Sequence, residues 1–309
     1  MSVYTRYSRV KTASKLGHYD RRKGLKWLLA GVVTQTAGPR FAAIARIRRA
    51  FGSYPEPLTG EGGIVVSLTS FPPRMKHLWM TVDSLMRQEV RPAEILLHLY
   101  EGDFPGGDGI PASLKPYLGR GLKIVWAPED LRPHLKYFYS IPAEADGLRR
   151  CVVTVDDDLF YLPDTLGRLQ ALHRLHPDDV CANIVKKAVG PHYADWEWPL
   201  HPTSGDKDAV ALGFGGVLYP PSFYDRCRER LFDIGSIRGL CLGQDDLWLK
   251  TVENFCGVSV SSGEYFPLPP DVPGSQKISL SALNVKMAGN DAVWAALSDK
   301  FKPEAQEQA

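Results

Sequence analysis

Cys151-Val152-Val153-Thr154-Val155-Asp156-Asp157-Asp158-Leu159-Phe160 runs from an apolar, β-branched half directly into three consecutive carboxylates. The first half has the composition of a buried strand in a parallel sheet. No Gly, Asn or Pro separates the acids from that strand, so they fall at its carboxyl end, where open α/β sheets bind ligands. Adjacent carboxylates repel by about 1 kcal/mol per pair in water and by several times more when partly buried. A solvated acidic turn relieves this repulsion. So does a hard divalent cation with oxygen ligands, shared with a substrate phosphate.

Around this stretch strands alternate with helices. Residues 64–69, 94–100, 122–126 and 180–185 read as strands, and Leu78, Val82, Leu85 and Met86 make one apolar helical face. Residues 135–145 read as a helix interrupted at Pro142, and Pro163-Asp164 opens another that runs to His176. Residues 190–208 form a loop rich in Trp, His and Pro, followed by a short strand at 214–219 and a helix from Pro221-Ser222. A helix over 244–255 carries Asp245 and Asp246 at its start, where the dipole favours anions. The last helix falls at 281–286 or 292–297. The alternation predicts an α/β fold with a mostly parallel central sheet flanked by helices.

Charge divides the chain. The whole carries +2, but residues 1–52 hold twelve Lys or Arg against the single acid Asp20, so the remainder is acidic. This marks 1–52 as a basic helical extension, 53–62 as a Gly/Pro-rich linker, 63–300 as the main domain and 301–309 as a polar tail. Residues 25–51 read as two helical pieces broken at Gly38-Pro39. The second places Phe41, Ile44, Ile47 and Phe51 at helical spacing among Arg40, Arg46, Arg48 and Arg49. Such a helix suits an anionic membrane surface or the enzyme body. Nucleic acid is disfavoured, because no reader fold accompanies the basic region. The uncharged run from Trp27 to Pro39 is too short to cross a bilayer, and five cysteines without C-x-x-C spacing read as buried reduced thiols. The expected location is cytoplasmic, or peripheral on the inner face of the cell membrane.

Five motifs carry a resemblance. They are Val66-Ser67-Leu68-Thr69-Ser70-Phe71-Pro72-Pro73-Arg74, Lys136-Tyr137-Phe138-Tyr139, the acidic triplet, Gly215-Gly216-Val217-Leu218-Tyr219-Pro220 and Gly243-Gln244-Asp245-Asp246-Leu247-Trp248. In order and spacing over residues 62–295 the chain resembles bacterial GT-A-fold glycosyltransferases, which use nucleotide sugars and an Asp-x-Asp motif. The resemblance implies a GT-A-like (Rossmann-like) fold. It also implies Mn²⁺ or Mg²⁺, a nucleoside diphosphate sugar donor with UDP favoured, and a cell-envelope saccharide or other glycan acceptor.

It assigns roles as well. Asp158 ligates the metal, and Asp156 holds the ribose or a metal-bound water. Asp157 faces the sugar, Thr69 and Ser70 seat the nucleoside, and Arg74 and Lys136 contact the pyrophosphate. Asp246, with Asp245 beside it, matches the position of the general base in inverting enzymes. Gly215 and Gly216 let backbone approach the donor. The flat faces of Tyr193, Trp196 and Trp198, with His192, suit a saccharide acceptor, and His192 is also a candidate for the metal shell. Two rival readings are a sugar-phosphate nucleotidyltransferase and a non-catalytic saccharide-binding protein. The first usually has a Gly-rich basic loop after its first strand, where this chain has Ser67-Leu68-Thr69-Ser70-Phe71-Pro72-Pro73.

Overall fold

The computed structural model describes residues 32–199, 202–264, 268–275 and 289–301. Most of the basic extension, the polar tail from 302 and the alternative last helix at 281–286 lie outside them.

Helix α1 (Ala37–Ala50) leads in. The expected break at Gly38-Pro39 falls earlier, as a turn at Thr36, which leaves Pro39 in the first helical turn where its missing N–H costs nothing. Then follow β1 (Ile64–Thr69), α2 (Met75–Met86), β2 (Glu94–Tyr100), α3 (Lys115–Leu118) and β3 (Leu122–Ala127). Helices α4 (Leu135–Phe138) and α5 (Ser140–Asp146) precede β4 (Cys151–Thr154). The predicted interruption of this pair lies at Tyr139, not at Pro142, which sits in the first turn of α5 and is tolerated there. Helix α6 (Thr165–Leu175) comes next. The single strand expected at 180–185 is two, β5 (Val180–Ala182) and β6 (Val185–Lys187), in different sheets. Strands β7 (Thr203–Asp206), β8 (Ala209–Ala211) and β9 (Val217–Tyr219) are followed by α7 (Pro221–Leu231), α8 (Ile234–Leu240) and α9 (Asp245–Cys256). Strand β10 (Val260–Ser262) and α10 (Gly289–Lys300) complete the described elements.

The main sheet has the order β3-β2-β1-β4-β9-β5-β10-β7. Strands β3, β2, β1 and β4 are mutually parallel, as are β5 and β10. Strand β9 is inserted antiparallel between β4 and β5, and β7 lies antiparallel at the edge. The fold is therefore α/β with a mostly parallel central sheet flanked by helices. Strands β6 and β8 form a separate antiparallel pair. In β4, Val152 enters one hydrophobic cluster with Tyr219, Trp248 and Leu249, while Val153 enters the other with Val66, Leu78 and Ile95. Successive side chains point to opposite faces, so both faces of the sheet are covered.

The chain order reverses at β1 and β4. Their register, Ile64↔Cys151 through Ser67↔Thr154, brings the segments after both strands side by side at the carboxyl end of the sheet. Arg150, just before β4, fastens the opposite end by bonding Glu144 at 2.6 Å and Glu94 at 2.5 Å. Helix α9 ends on Gly257, whose φ of 66° suits a residue without a Cβ.

Helix α9 also buries an ion pair, Lys250 Nζ to Glu253 Oε2 at 3.5 Å, with both side chains 1% exposed. Burial pushes the Glu253 carboxyl up to about 7, and Lys250 only partly opposes this. An acid raised in the fold keeps a proton that the unfolded chain has released. Its contribution is thus intact below about pH 4.5 and lost as pH rises through 7, by about 3 kcal/mol. Urea unfolding of Glu253→Gln should match the parent near pH 4.5 and exceed it in stability above pH 7. A pH-independent difference would contradict the assignment.

Candidate active site

Three segments meet at the carboxyl end of the sheet: the turn after β1, the triplet after β4 and the start of α9. Burial and charge give the three acids of the triplet different tasks.

Asp157 turns inward. Its carboxylate accepts from Ser70 Oγ and Arg74 Nη1, each at 2.5 Å, and its carbonyl accepts from Thr81 Oγ1 at 2.9 Å. It ties the turn after β1 and helix α2 to the end of β4, so its predicted place facing a sugar is corrected to an internal brace. Asp158 lies 3.1 Å from the same Arg74 nitrogen. Its carbonyl accepts from Val272 N at 2.8 Å, which fastens the segment 268–275 under the triplet. Burial, then the charge of Asp156, push the Asp158 carboxyl up to about 7. Asp156 keeps the most exposed side chain of the three, at 35%, and pairs with Lys136.

Lys136 is the centre of the arrangement. It is buried on α4, and its Nζ donates to Asp156 Oδ1 at 2.9 Å and ion-pairs with Asp245 Oδ2 at 2.8 Å. Burial disfavours its charge, but Asp156 and Asp245 outweigh burial and raise its pKa well above the usual value. His134, two residues earlier and fully buried, fixes α4 against the approach to α9. Its Nε2 lies 2.9 Å from the Cys241 carbonyl, which can only accept, so Nε2 carries the proton. Its Nδ1 then accepts from the Tyr137 hydroxyl at 2.8 Å.

The two acids of α9 diverge. Asp245 is buried, yet the Lys136 ammonium beside it holds its carboxyl below the usual range. Asp246 has no such contact. Burial, then the negative Asp245, push it well above that range. Its Oδ1 accepts from Gly213 N at 3.1 Å. A Cβ on Gly213 would stand 2.8 Å from Lys136 Nζ, 3.1 Å from Asp246 Oδ1 and 3.7 Å from Asp156 Oδ1. Gly213 is thus the glycine that closes the site, and its place at a turn before the Gly215-Gly216 pair was its only sequence signal.

Gly215 and Gly216 stand at the turn that leads into β9. A Cβ on Gly215 would strike Ile184, and Gly216, at φ 86°, packs near Leu169 and Thr165. Both serve close packing of β9. Thr69 Oγ1 donates to the His98 carbonyl at 2.9 Å, and Ser70 braces Asp157. Arg74 and Lys136 are engaged by the acids, so their first task is to neutralise carboxylates.

The aromatic loop separates likewise. Trp196 is 2% exposed and packs edge-on against Trp294 at 5.0 Å, so it belongs to the core and not to an acceptor surface. Tyr193 is half-buried under Lys186, whose Nζ lies 4.1 Å from its ring, and Trp198 flanks the same ammonium at 5.3 Å. Burial, then the charge of Asp246, raise the Tyr193 phenol. His192 is exposed and pairs with Asp291 of α10 at 3.1 Å.

Among the described residues no three His, Cys, Asp or Glu side chains gather closely enough to hold a metal by themselves. A cation completed by substrate phosphates needs only one or two carboxylates. Five carboxylates (Asp156, Asp157, Asp158, Asp245 and Asp246) face two cations, Arg74 and Lys136. This formal excess of negative charge, with Asp156 at its more open edge and Asp158 beside it, fits a divalent ion.

If Lys136 carries this balance, Lys136→Met leaves the buried Asp245 and the half-buried Asp156 without their cation. Chemical denaturation should show a loss of about 3 kcal/mol. A loss within the scatter of surface substitutions, about 0.5 kcal/mol, would mean that the carboxylates are screened by water instead.

No protein-family model matches the sequence, and no curated protein sequence matches it. Solved structures do. One is mannosyltransferase PcManGT from Pyrobaculum calidifontis in complex with GDP-Man and Mn²⁺. It has 14% identity and a TM-score of 0.41, over 78% of this chain and 66% of that one. A second is S. aureus TarS 1-349 in complex with UDP-GlcNAc, with 16% identity and a TM-score of 0.43, over 66% of this chain and 57% of that one. S. aureus TarS 1-349 also matches at 14% identity and a TM-score of 0.45, over 78% of this chain and 73% of that one. The chain thus spans less than two thirds of the length of the first two.

Proposed function

We propose that this chain is a metal-dependent glycosyltransferase that moves a sugar from a nucleoside diphosphate donor, with UDP favoured, to a glycan acceptor of the cell envelope. The observation that carries the reading is the meeting of strand-end and helix-start carboxylates around Lys136 and Gly213, with Asp245 and Asp246 driven to opposite pKa shifts. Sugar transfer needs a polyanionic leaving group to be neutralised and an acceptor hydroxyl to lose its proton. In this reading the two needs fall to different carboxylates.

Asp158 and Asp156 are the residues that would hold Mn²⁺ or Mg²⁺. The ion, when bound, supplies Lewis-acid neutralisation of the leaving diphosphate. Arg74 holds the triplet in place by engaging Asp157 and Asp158. Lys136 fixes Asp156 relative to Asp245 and adds positive charge at the floor of the site. Gly213 leaves the room that the Lys136 ammonium and the Asp246 carboxylate occupy at that floor.

Asp246 is the general base. An unperturbed aspartate is too weak a base for a sugar hydroxyl, and the raised affinity of Asp246 for a proton improves the match. A base on the acceptor side favours inversion at the anomeric carbon. Tyr193 and Trp198 remain as acceptor-facing aromatics, with Lys186 between them. A nucleotidyltransferase is disfavoured because the turn after β1 is a Pro72–Arg74 helical turn without glycine.

Two substitutions test the division of labour. Titration calorimetry with UDP-sugars and Mn²⁺ should show metal-dependent donor binding in the parent and its loss in Asp158→Asn. Asp246→Asn should bind donor normally while kcat for transfer falls about 10²–10⁴-fold. Unchanged donor affinity in Asp158→Asn would remove the metal from this strand end. Near-normal turnover in a folded, donor-binding Asp246→Asn would remove the base, and the argument for inversion with it.

A further inference from the structure

Helix α1 is built inside out. Its small residues Gly38, Ala42 and Ala45 are buried against the domain, while Ile44, Ile47 and Phe51 are 49%, 57% and 85% exposed. At 3.6 residues per turn Arg40, Ile44, Ile47 and Phe51 form one stripe, with Arg48 beside it. That stripe lies opposite Gly38, Ala42, Ala45 and Arg49, the last of which is turned onto the Trp79 ring at 4.9 Å. A helix that merely clothed the domain would bury its isoleucines and expose its alanines.

The inner face sits directly behind the triplet. Phe41 packs on Phe160 with ring centroids 5.6 Å apart, and Gly38 lies so close to the Asp271 carbonyl that a Cβ has no room. Asp271 bridges to Leu159, and its neighbour Val272 donates to the Asp158 carbonyl. Only the width of one helix, about 10 Å, therefore separates the outer stripe from the segments that hold the triplet.

We infer that this outer stripe of α1 docks the protein on an anionic lipid surface. Exposed isoleucine and phenylalanine side chains enter the acyl boundary, and the guanidinium groups of Arg40 and Arg48 meet lipid phosphates. The charge is of one sign: α1 contains no acid, and its exposed polar positions are arginines. A second copy of this chain would bring arginines against arginines across a two-fold contact, which disfavours self-association. Docking here presents the carboxyl end of the sheet close to the membrane.

The test is flotation of the full chain with phosphatidylcholine vesicles containing phosphatidylglycerol, and with phosphatidylcholine alone. The parent should float with the anionic vesicles at low salt and release as salt shortens the screening length below about 10 Å. Ile44→Ser/Ile47→Ser/Phe51→Ser should bind at least about tenfold more weakly, with an unchanged melting temperature, because the replaced side chains are exposed. Should the triple variant fold poorly, Phe51→Ser alone must still weaken binding. Arg40→Gln/Arg48→Gln should lose the preference for anionic lipid. Three results overturn the inference: a parent that does not bind anionic vesicles, a folded triple variant that binds like the parent, or a lipid-free dimer of the parent that the triple variant cannot form.

Discussion

The buried ammonium of Lys136 is the contact on which the site depends. Without it the end of β4 and the start of α9 would bring Asp156 and Asp245 together in a region of low dielectric, where like charges cannot both stay ionised. With it, a helix and a strand far apart in the chain acquire a fixed relation. The geometry is costly to desolvate and strongly destabilising to break halfway. That cost accounts for the surrounding supports. His134 is locked between Tyr137 and the Cys241 carbonyl, and Gly213 has no side chain because Lys136 Nζ occupies the space one would need.

The asymmetry of Asp245 and Asp246 follows from the same contact. Both lie in the first turn of α9, where the helix dipole lowers carboxyl pKa values alike. Of the two, Asp245 has the direct ion pair with Lys136, whose pull on Asp246 is outweighed by burial and by Asp245. Once that carboxylate is ionised, it works against ionisation of Asp246, which also suffers burial. One cation thus produces a permanently charged acid and a proton-accepting one on adjacent residues. Arg74 makes a similar division within the triplet. It shares one nitrogen between Asp157 and Asp158, and only Asp157 gains Ser70 as well, so Asp157 becomes a brace and Asp158 keeps a raised pKa.

Where the sequence was legible, the local pattern and the tertiary outcome agree. Strands β1 and β2 fall where their β-branched and apolar runs begin and end, since central strands buried on both faces need continuous apolar stretches. Strand direction has no such signature. The three residues of β9 read alike in either sense, so its antiparallel insertion between β4 and β5 is visible only in the pairing. The clustering of Asp156, Asp158, Asp245 and Asp246 could be suspected from motif order. Their charge partners could not be ranked, because an ion pair between residues distant in sequence leaves no local trace. Trp196 was misread for a related reason: an aromatic in a polar loop looks like a binding face until Trp294 of α10 is seen to cover it.

Helix α1 shows the limit of periodicity from another side. The spacing of Phe41, Ile44, Ile47 and Phe51 describes one apolar face, and the usual inference places such a face against the core. The structure instead divides it. Phe41 turns toward Phe160, and the other three remain in solvent, because the surface behind the triplet is shaped for glycine and alanine. The Gly38–Asp271 contact decides this. A backbone approach that close rotates α1 so that its larger side chains cannot all turn inward. The rotation that supports Asp158 from behind is therefore also the one that leaves Ile44, Ile47 and Phe51 outside, and the support of the site and the exposed stripe have a common steric cause.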